Sequence, residues 1–576
     1  MAHKPRKPAN IQFGRDEAPP PRVALALAAQ QMAFLAALLV VPSLFVRQAQ
    51  LPAATFFSLA AASLLLCAVT LVVQARRRGP VGSGFFYPVQ ASTLVLPALM
   101  LGVLGPGGVA GAFTMVFVMG LVHWAASFAV ERLRSVFTVE VAGLCVLLLG
   151  LGLGKMGIAV AFNDAIAYAG FEPATGEELL VGLIAFATMV GCNVWGRRHV
   201  KWFATVIGLA AGFAAAMALG LIAPEAWTLI AAAPWVFVPT LPVFGLAWDA
   251  SLIGPYAVTG LILALISMGV QTVAQRFNDA NWVRPDLKAI ARGLRAEGTG
   301  LFFGAVVNGL PQVASGGAVG LSAASGCTSR LLSYWVAGLL AVLALLPKVM
   351  ALFLALPLQV TGALFLFLSV FTLMSGLQLI ASRMLDNRRI IALGAGLVVF
   401  VSYELLHAHV GMLPAAFGAV TFTGFALAVA TTVTLSLIVR LGVRQRAHEA
   451  FSAHGTSLDD VMDFMERQGR LWGVPPDVGR RAQFAAWQAF EILAGQAHVQ
   501  GEVDIHTAFD EYTYAVTLSY DGEVLTLSDK RPDAEQMLED DLSEAALAGY
   551  LVRRSADAAS VSRRGSRAML RLTFSN

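Results

Sequence analysis

Charged residues are scarce in this 576-residue chain. They make up 13% of it, whereas hydrophobic residues make up 57% and the mean hydropathy is +0.70. Soluble domains carry about 25% charged residues, so this composition excludes an ordinary soluble protein. Cysteine is scarce as well. The four cysteines (Cys67, Cys145, Cys192 and Cys327) lie in apolar runs without metal-type spacing, which indicates small packing residues.

Catalytic motifs are also missing from the sequence. It contains no P-loop, no metal-ligand spacing and no nucleophile elbow. We therefore predict neither an enzyme nor an ATP-driven pump, and we expect no cofactor, no metal site and no nucleic-acid partner. The stretch 1–22 is polar and is predicted to be a disordered cytoplasmic N-terminus. It lacks the apolar core of a cleavable signal peptide, so the first apolar segment is expected to act as its own insertion signal.

Long hydrophobic runs dominate residues 23–443. A helix of roughly 20 apolar residues crosses a bilayer, and fourteen such segments fit this region, with charges confined to the joints. The sequence therefore predicts an all-α polytopic membrane protein in the lipid bilayer. The predicted spans are 24–46, 52–74, 85–103, 110–130, 136–155, 179–196, 202–222, 256–275, 297–310, 312–329, 333–354, 360–381, 390–408 and 414–440.

The charges in the joints predict the orientation of these spans. Joints after odd-numbered spans are rich in glycine and proline (105–108) or acidic (164–178), whereas basic clusters follow even-numbered spans. Because basic loops stay in the cytoplasm, both termini are predicted to be cytoplasmic, with the protein in the inner (plasma) membrane. The basic clusters are Arg76–Arg78, Arg132 and Arg134, Arg197, Arg198 and Lys201, Arg284, Lys288, Arg292 and Arg295, and Arg383, Arg388 and Arg389.

Two segments depart from the pattern of a continuous span. Residues 82–102 and 308–330 contain Gly, Pro, Ser and Gln where an unbroken helix favours Leu and Ala. Irregular backbone is tolerated at membrane depth only where it faces protein or a water-filled cavity. The two segments occupy the third and tenth places, which correspond in two seven-span halves and predict inverted repeats with broken helices that meet near the midplane. The alternative is that these glycines only allow close helix packing.

Four stretches resemble the nucleobase–ascorbate transporter family, which includes the uracil and xanthine permeases. They are LALAAQQMAFLAALLVVP (24–42), RPDLKAIARGLRAEGTGLFFGAVVNGLPQ (284–312), GGAVGLSAASGCTSR (316–330) and LLPKVMALFLALPLQVTGALFL (345–366). The resemblance implies a core domain of spans 1–4 and 8–11, a gate domain of spans 5–7 and 12–14, and a homodimer. It also implies that the solute sits between the half-helices of spans three and ten and moves by rigid-body shifts of core against gate.

The ionisable residues that the resemblance implies are replaced in this chain. Family members usually carry Glu in span eight, His or Asp four residues later, and a second Glu in span ten; the aligned positions are Gln271, Gln275 and Gly317. Gln31 stands where the first span of the family shows His. An amide can bind a nucleobase edge but cannot take up a proton, which argues against ordinary proton symport through these positions.

Further ligand candidates lie at the two breaks, and a few charged residues lie in or near spans. The break in span three offers Tyr87, Gln90 and Ser92, which are expected to face Ser315, Gly316 and Ala318 of span ten. His123 in span four is expected to be a packed, hydrogen-bonded histidine or, alternatively, a proton carrier. Glu404, His407 and His409 are interpreted as a solvated rim, with Glu404 as a candidate replacement for the missing coupling group. Lys348 is expected to reach the interface or to serve function.

These residues support a transporter of a nucleobase-like solute of the uracil, xanthine or urate class, either secondary-active or facilitative, with atypical or absent proton coupling. Two alternatives remain open. The half-helix N-termini present partial positive charge that no acid at the aligned positions offsets, which would suit a small-anion carrier on the same scaffold. A transporter-like sensor that signals through the C-terminal domain is the other alternative.

The C-terminal region changes character after a predicted linker, 444–456. Residues 457–576 predict a small cytoplasmic α/β domain, with helices at 457–470, 476–497 and 533–553 and strands at 502–508, 512–519, 523–527 and 567–574. This order resembles the ATP-binding domain of anti-sigma factors and histidine kinases, in a degenerate form. Gly495 lies four residues after Glu491, at the position where the family has Asn. Asp521 and Gly522 lack the second glycine that would free the loop for phosphate. A non-catalytic regulatory or dimerisation module that meets a cytoplasmic regulator is predicted, with ATP binding as the alternative.

Overall fold

The computed structural model divides the chain into two compact units, Met1–Leu437 and Ile438–Asn576. The boundary lies close to the predicted end of the membrane region at residue 443. The structure describes residues 6–576 except for 37–38, 53, 131–137, 164–172, 198–199, 202, 223, 242, 283–284, 382–386, 411–423, 441–444, 454–457, 496–498, 500, 510–512, 523, 526, 528–541, 566 and 576.

Where the structure describes it, the first unit is helical apart from two short strands. Its elements up to residue 277 are α1 (Pro21–Ala36), α2 (Val40–Gln48), α3 (Thr55–Gln74), β1 (Val89–Ala91), α4 (Leu96–Leu104), α5 (Gly108–Thr114), α6 (Val116–Ala129), α7 (Val139–Ala161), α8 (Gly176–Trp195), α9 (Ala204–Ala218), α10 (Pro224–Ala232) and α11 (Ile253–Phe277). The rest are α12 (Leu287–Val307), β2 (Gln312–Ala314), α13 (Gly316–Ala324), α14 (Leu332–Leu343), α15 (Pro347–Leu354), α16 (Leu358–Ile380), α17 (Asn387–Val410) and α18 (Gly424–Arg440).

Within the described residues, seven helices are long and apolar enough to cross a membrane, or eight if the pair α14 and α15, bent by 96°, counts as one span. The protein is thus a multi-pass membrane protein. Each predicted span corresponds to a helix or an interrupted helix, although the count of fourteen crossings stays a prediction. The beginning of the fourteenth span and the basic positions 132, 134, 198, 284 and 383 lie outside the described residues, and α10 was not predicted.

Both predicted breaks are present. In span three, β1 and a 3-10 turn at Thr93–Val95 precede α4; in span ten, β2 precedes α13. The two strands pair in antiparallel register, Val89 with Ala314 and Ala91 with Gln312. Asn308 ends α12 in the left-handed conformation (φ 58°), which Asn tolerates. The interrupted backbone satisfies its polar groups by pairing with the other break, as membrane depth requires.

The helices of the first unit pack in two groups. The first bundle contains α1, α3, α6, α11, α12 and α14, and the second bundle contains α7, α8, α9 and α16. Helices α7 and α16 make the closest contact because glycines line it: a Cβ atom on Gly150 would lie 2.5 Å from the Leu373 nitrogen, and one on Gly376 would lie 2.3 Å from the Leu147 nitrogen. The first bundle holds helices of the predicted core and the second holds helices of the predicted gate.

The N-terminal segment does not match the prediction of a disordered stretch over residues 1–22. Residues 6–20 are ordered along the ends of the broken spans. The Phe13 carbonyl accepts a hydrogen bond from the Thr328 nitrogen at 2.9 Å, and Asp16 pairs with Arg330 at 2.7 Å. This segment, which we call the N-terminal strap, is held because its backbone pairs beside Cys327 and its acids meet basic side chains.

The described residues of the second unit form a five-stranded antiparallel sheet with three helices. The strands follow the order β3-β4-β5-β7-β6. The sheet buries an apolar core that includes Ile505, Val516 and Leu572 against α20. Its elements are β3 (Gln445–Ser452), α19 (Leu458–Leu471), α20 (Pro476–Gly495), β4 (Glu502–Phe509), β5 (Thr513–Asp521), α21 (Leu542–Ser555), β6 (Ala558–Arg564) and β7 (Arg567–Ser575).

Several predictions for this unit are corrected. The predicted linker, 444–456, contains the edge strand β3, and the strand β6 was not predicted. The predicted strand 523–527 is wrong at Val524, Leu525 and Leu527, which are not in a strand, and the start of the predicted helix 533–553 lies outside the described residues. Asp521, the acid at the strand end that resembles the loop of an ATP-binding domain, lies 3.7 Å from the Arg567 guanidinium on the neighbouring strand.

Candidate functional site

The two breaks meet at the N-terminus of α13. Ser315 caps this helix by accepting a hydrogen bond from the Ala318 nitrogen at 3.2 Å, and its own hydroxyl donates to the Gln90 side-chain oxygen. The Ser315 nitrogen donates to the Pro88 carbonyl at 2.8 Å. We call the following set the half-helix junction: Gln31, Gln90, Ser315, Gly316, Gly317 and Ala318. Six of the ten predicted site residues are therefore brought together.

Helix α1 contributes an amide and an aromatic ring to the half-helix junction. The Gln31 amide nitrogen donates to the Ala318 carbonyl at 3.2 Å, and its oxygen is buried without a hydrogen bond to any described residue. Phe34 lies against Gly317, where an added Cβ would be 2.7 Å from the tip of the ring. The ring thus closes the space beside Gly317, the position at which the family resemblance implies an acid.

The other predicted site residues lie away from the half-helix junction. The Gln275 side chain makes two hydrogen bonds to the Asp286 backbone. Its amide oxygen accepts from the Asp286 nitrogen at 2.7 Å, and its amide nitrogen donates to the Asp286 carbonyl at 3.1 Å. Ser92 caps a turn, since its hydroxyl accepts from the Leu94 nitrogen at 3.2 Å. Gln271 turns toward α12, with its amide against Gly293, while the neighbouring Val270 faces Gly316. The roles of these residues in solute binding stay predictions.

A second polar group surrounds Glu297 in the middle of α12. We call it the acid cluster: Tyr87, His123, Ser267, Gln271 and Glu297. The Ser267 hydroxyl donates to Oε2 of Glu297, and the Tyr87 hydroxyl donates to the Ser267 carbonyl at 2.9 Å. Nε2 of His123 lies 3.9 Å from the same Oε2 atom. All five side chains are buried, and Tyr87 connects the cluster to the break in span three.

Glu297 was missed by the sequence analysis because the ninth span was predicted to begin at residue 297. The helix begins at Leu287 and carries basic residues over its first turns. One signal could have found it. Ile290, Leu294 and Leu301 are buried together with Glu297 at spacings of three and four residues, so the acid falls on the stripe that an amphipathic helix buries.

The remaining candidates are involved in other contacts. Glu404 pairs with Lys155 of α7, so the rim acid named as a replacement coupling group already has a cation beside it. The Lys348 ammonium lies 4.7 Å from the centre of the Trp235 ring, a cation–π contact. The side chains of His407 and His409 lie outside the described residues. His123 is buried, with Nδ1 3.0 Å from the Met119 carbonyl, which confirms the packed, hydrogen-bonded interpretation.

A helical membrane unit in which two interrupted crossings pair with each other is typical of secondary transporters. Residues 22–409 match the profile of the Permease family (Xan_ur_permease). Because this match covers well over half of the chain, the protein belongs to that family and is a permease-type membrane protein, not an enzyme. The C-terminal unit lies beyond the matched residues, so its resemblance to an ATP-binding domain stays a prediction.

Two bacterial permeases are among the proteins similar to this chain. It is 26% identical to the xanthine permease XanP of Escherichia coli K12 over 395 residues, which are 67% of this chain and 85% of that protein. It is 24% identical to the uric acid permease PucJ of Bacillus subtilis over 361 residues, 62% of this chain and 79% of that protein. The murine anion transporter Slc26a9, a solved structure, aligns with a TM-score of 0.45 and 13% identity, covering 76% of this chain and 71% of that one.

Proposed function

We propose that the protein carries a nucleobase-class solute of the xanthine or urate type across the inner membrane, by movement of the first bundle against the second. The observation that carries this proposal is the pairing of β1 with β2, which brings the N-terminus of α13 and the break in span three together inside the first bundle. Antiparallel pairing of corresponding breaks is what two inverted halves predict.

The chemistry of the half-helix junction suits an oxopurine. Such a ring presents N–H donors and C=O acceptors along its edges, and amides supply both complements. The unpartnered Gln31 oxygen is an acceptor for a ring N–H, and the first backbone N–H groups of α13 are donors for a ring carbonyl. Phe34 adds an aromatic ring beside Gly317, and planar solutes stack on such rings.

Two features of the chain's relatives and charges bear on the solute. XanP and PucJ are named as xanthine and uric acid permeases, which supports an oxopurine over a pyrimidine. The half-helix junction contains no acidic or basic side chain, so it suits a neutral solute or a monoanion such as urate. Uptake of sulfate or bicarbonate, with no uptake of any nucleobase, would favour the small-anion carrier.

Uptake into proteoliposomes tests the proposal. The purified full-length protein should exchange radiolabelled xanthine or urate in counterflow, a measurement that needs no ion gradient. Vesicles without protein supply the background. Failure to exchange xanthine, urate and uracil alike would refute the proposed function.

Variants at the half-helix junction localise the solute. Gln31→Leu keeps the size of the side chain but removes both amide atoms, so counterflow should weaken through a higher KM. Gln359→Met is the matched control, because Gln359 is a buried amide in the second bundle that bonds to Asn163. Equal losses in both variants would contradict binding at the half-helix junction.

The second unit is proposed to act as a cytoplasmic regulatory or dimerisation module, with both termini in the cytoplasm and the permease as a homodimer. Two contacts support this proposal. The Arg567 guanidinium pairs with Asp521, the acid at the end of β5, and the Gln488 amide donates a hydrogen bond to Glu491 at 2.9 Å. Both acids of the resemblance are therefore bonded within the unit. Labelled ATP should not bind the purified protein; saturable binding would restore the nucleotide-binding alternative.

A further inference from the structure

The connection between α10 and α11 is long, uncharged and apolar. Its described residues, 233–249 without 242, form neither helix nor strand, and we call them the apolar loop. No Asp, Glu, Lys, Arg or His occurs from residue 226 to residue 248. Large apolar side chains of the loop are nonetheless exposed, among them Trp235 (70%), Val238 (84%), Trp248 (62%), Val236 and Leu246. Such a concentration of exposed apolar side chains marks a contact with another protein or with a membrane.

Several contacts fix the apolar loop to one end of the helices beneath it. The Phe244 nitrogen donates to Oδ1 of Asn308 at 2.8 Å, just beyond the end of α12. The Phe244 ring stacks on Phe113 of α5, with ring centres 5.1 Å apart. The Phe237 nitrogen donates to the Leu345 carbonyl at 3.2 Å, just beyond α14. The loop is therefore held in place without regular secondary structure, and its exposed side chains form a defined surface.

Helix α3 gives the level of the apolar loop across the membrane. Oγ of Ser58, in the first turn of this helix, lies 3.4 Å from Oγ1 of Thr240 in the loop, whereas the basic cluster Arg76–Arg78 follows the last turn. The helix has 20 residues, which make a length of about 30 Å, and the hydrocarbon core of a bilayer is about 30 Å thick. The loop therefore lies at the membrane face opposite to these arginines, at the level of the lipid headgroups.

Neither the hydrocarbon core nor bulk water suits the apolar loop. Irregular backbone does not face lipid within the hydrocarbon core, because its N–H and C=O groups need water or protein partners. In bulk water the exposed Trp, Val and Leu side chains would lose the favourable free energy of apolar contact. The interfacial layer between these two regions offers both water and apolar surface, and Trp is enriched there.

A lysine beside the apolar loop adds a positive charge. Lys348 lies in the first turn of α15, and its ammonium group is 4.7 Å from the centre of the Trp235 ring. A lysine stem lies along apolar surface while its ammonium group reaches the headgroups. The pair thus presents apolar surface and positive charge side by side, which complements the upper acyl chain and the phosphate of a phospholipid.

We propose that the apolar loop binds phospholipid: its Trp, Val and Leu side chains enter the interfacial layer of the leaflet opposite to the basic clusters, and Lys348 pairs with a lipid phosphate. Because the chain crosses a bilayer, phospholipid surrounds it at this level, which favours lipid over a second copy of the chain as the occupant. The bond between Phe244 and Asn308 means that this contact anchors α12, and with it the first bundle, at this face. The inference does not depend on the identity of the solute.

Fluorescence quenching in proteoliposomes tests the depth of the apolar loop. Full-length Val238→Cys is labelled with an environment-sensitive dye in a Cys192→Ser background, since the other three cysteines are buried. A lipid nitroxide near the headgroup should quench this dye more than a nitroxide deep in the acyl chain or aqueous iodide. Leu121→Cys is the matched control, because Leu121 is exposed near the middle of the span Gly108–Ala129; there the deep nitroxide should quench most.

Two outcomes of this measurement overturn the proposal. Strongest quenching by iodide at residue 238 would place the apolar loop in water. A dye at residue 238 that no quencher reaches would show that protein, such as a second copy of the chain, covers the loop.

Tryptophan emission gives a second measurement that needs no label. Trp248→Phe keeps an apolar aromatic ring and should fold. The emission lost in this variant belongs to Trp248, and it should be quenched by lipids brominated near the headgroup. Trp487→Phe is the matched control in the second unit, whose emission should not be quenched. Emission of Trp248 that brominated lipid leaves unchanged overturns the proposal, even where Val238→Cys does not fold.

The lysine contact has its own test. Lys348→Met keeps the apolar stem and removes the charge. In the wild-type background, anionic nitroxide lipid should quench the dye at residue 238 more than zwitterionic nitroxide lipid, and Lys348→Met should abolish this difference. A difference that is absent before the substitution, or that persists after it, overturns the pairing of Lys348 with lipid phosphate.

Discussion

The two bundles differ in what lies beside a buried carboxyl group. In the second bundle, Glu140 of α7 lies 3.1 Å from the Arg389 guanidinium, and Lys155 farther along the same helix pairs with Glu404. In the first bundle, Glu297 faces a histidine at 3.9 Å and no described Lys or Arg. A buried acid beside a cation can stay charged, whereas a buried acid without one is expected to be neutral.

Glycines show the same contrast. In the second bundle a Cβ atom on Gly150 would lie 2.5 Å from backbone, which is fixed by its helix. In the first bundle a Cβ atom on Gly293 would lie 2.1 Å from the side-chain oxygen of Gln271, which can rotate. At Gly150 the helices α7 and α16 are packed backbone to backbone, as small residues allow in membranes, whereas Gly293 leaves room for the Gln271 side chain.

The largest effect is expected from Gly150→Leu. The new side chain must separate α7 from α16, so we expect a loss of more than about 3 kcal/mol and little folded protein. Gly152→Leu is the matched control on the same helix, because nothing lies within 4 Å of its added Cβ. Thermal unfolding in detergent, followed by size-exclusion chromatography, measures both; equal stability would show that the helix contact is loose.

Removing the cation that pairs with Glu140 should have the next largest effect. Arg389→Ala leaves Glu140 buried without its partner, at a cost of up to about 3 kcal/mol. The double variant with Glu140→Gln should regain most of that loss, because no charge is then left unpaired. A thermal midpoint that drops equally in the single and double variants would mean that packing, not the ion pair, stabilises this contact.

Gly293→Ala should affect transport more than stability. The added methyl group forces Gln271 out of its present position, at a stability cost of about 1 kcal/mol at most, and displaces a member of the acid cluster. Counterflow and thermal unfolding of the same preparation separate the two effects. Gly338→Ala on α14, whose Cβ meets nothing within 4 Å, controls for the change in helix composition. A stability loss without a transport loss would reverse the comparison.

The smallest effect is expected at the N-terminal strap. Partial burial alone would raise the pKa of Asp16, but the Arg330, Arg15 and Arg77 guanidinium groups outweigh it and lower that pKa. The lowered pKa means that the ion pairs persist at neutral pH and are lost as the pH falls through the pKa of the folded state. Asp16→Asn should expose the strap to proteolysis at neutral pH, with a stability change below about 1 kcal/mol because Asp16 is partly exposed. Unchanged cleavage would show that the backbone pairing suffices.

The broken spans were predictable because Gly, Pro and Ser at matched positions in two apolar regions leave few alternatives at membrane depth. The half-helix junction followed from them, since Gln90 and Ser315 lie directly at the breaks. Gln271 and Gln275 were not predictable in the same way. Side chains one helical turn apart share a face, yet Gln275 is taken up by the Asp286 backbone and Gln271 packs on Gly293, contacts that depend on where α12 runs.

The sequence by itself placed this protein in a lipid bilayer, because long apolar stretches with scarce charge are stable only there. It also determined the breaks in the third and tenth spans. The tertiary structure decided which ionisable groups meet. His123 and Glu297 are 174 positions apart on different helices, and only the packing of α6 and α12 brings their side chains within 3.9 Å. Hydropathy records burial along one helix, whereas contacts between side chains of different helices depend on how those helices pack.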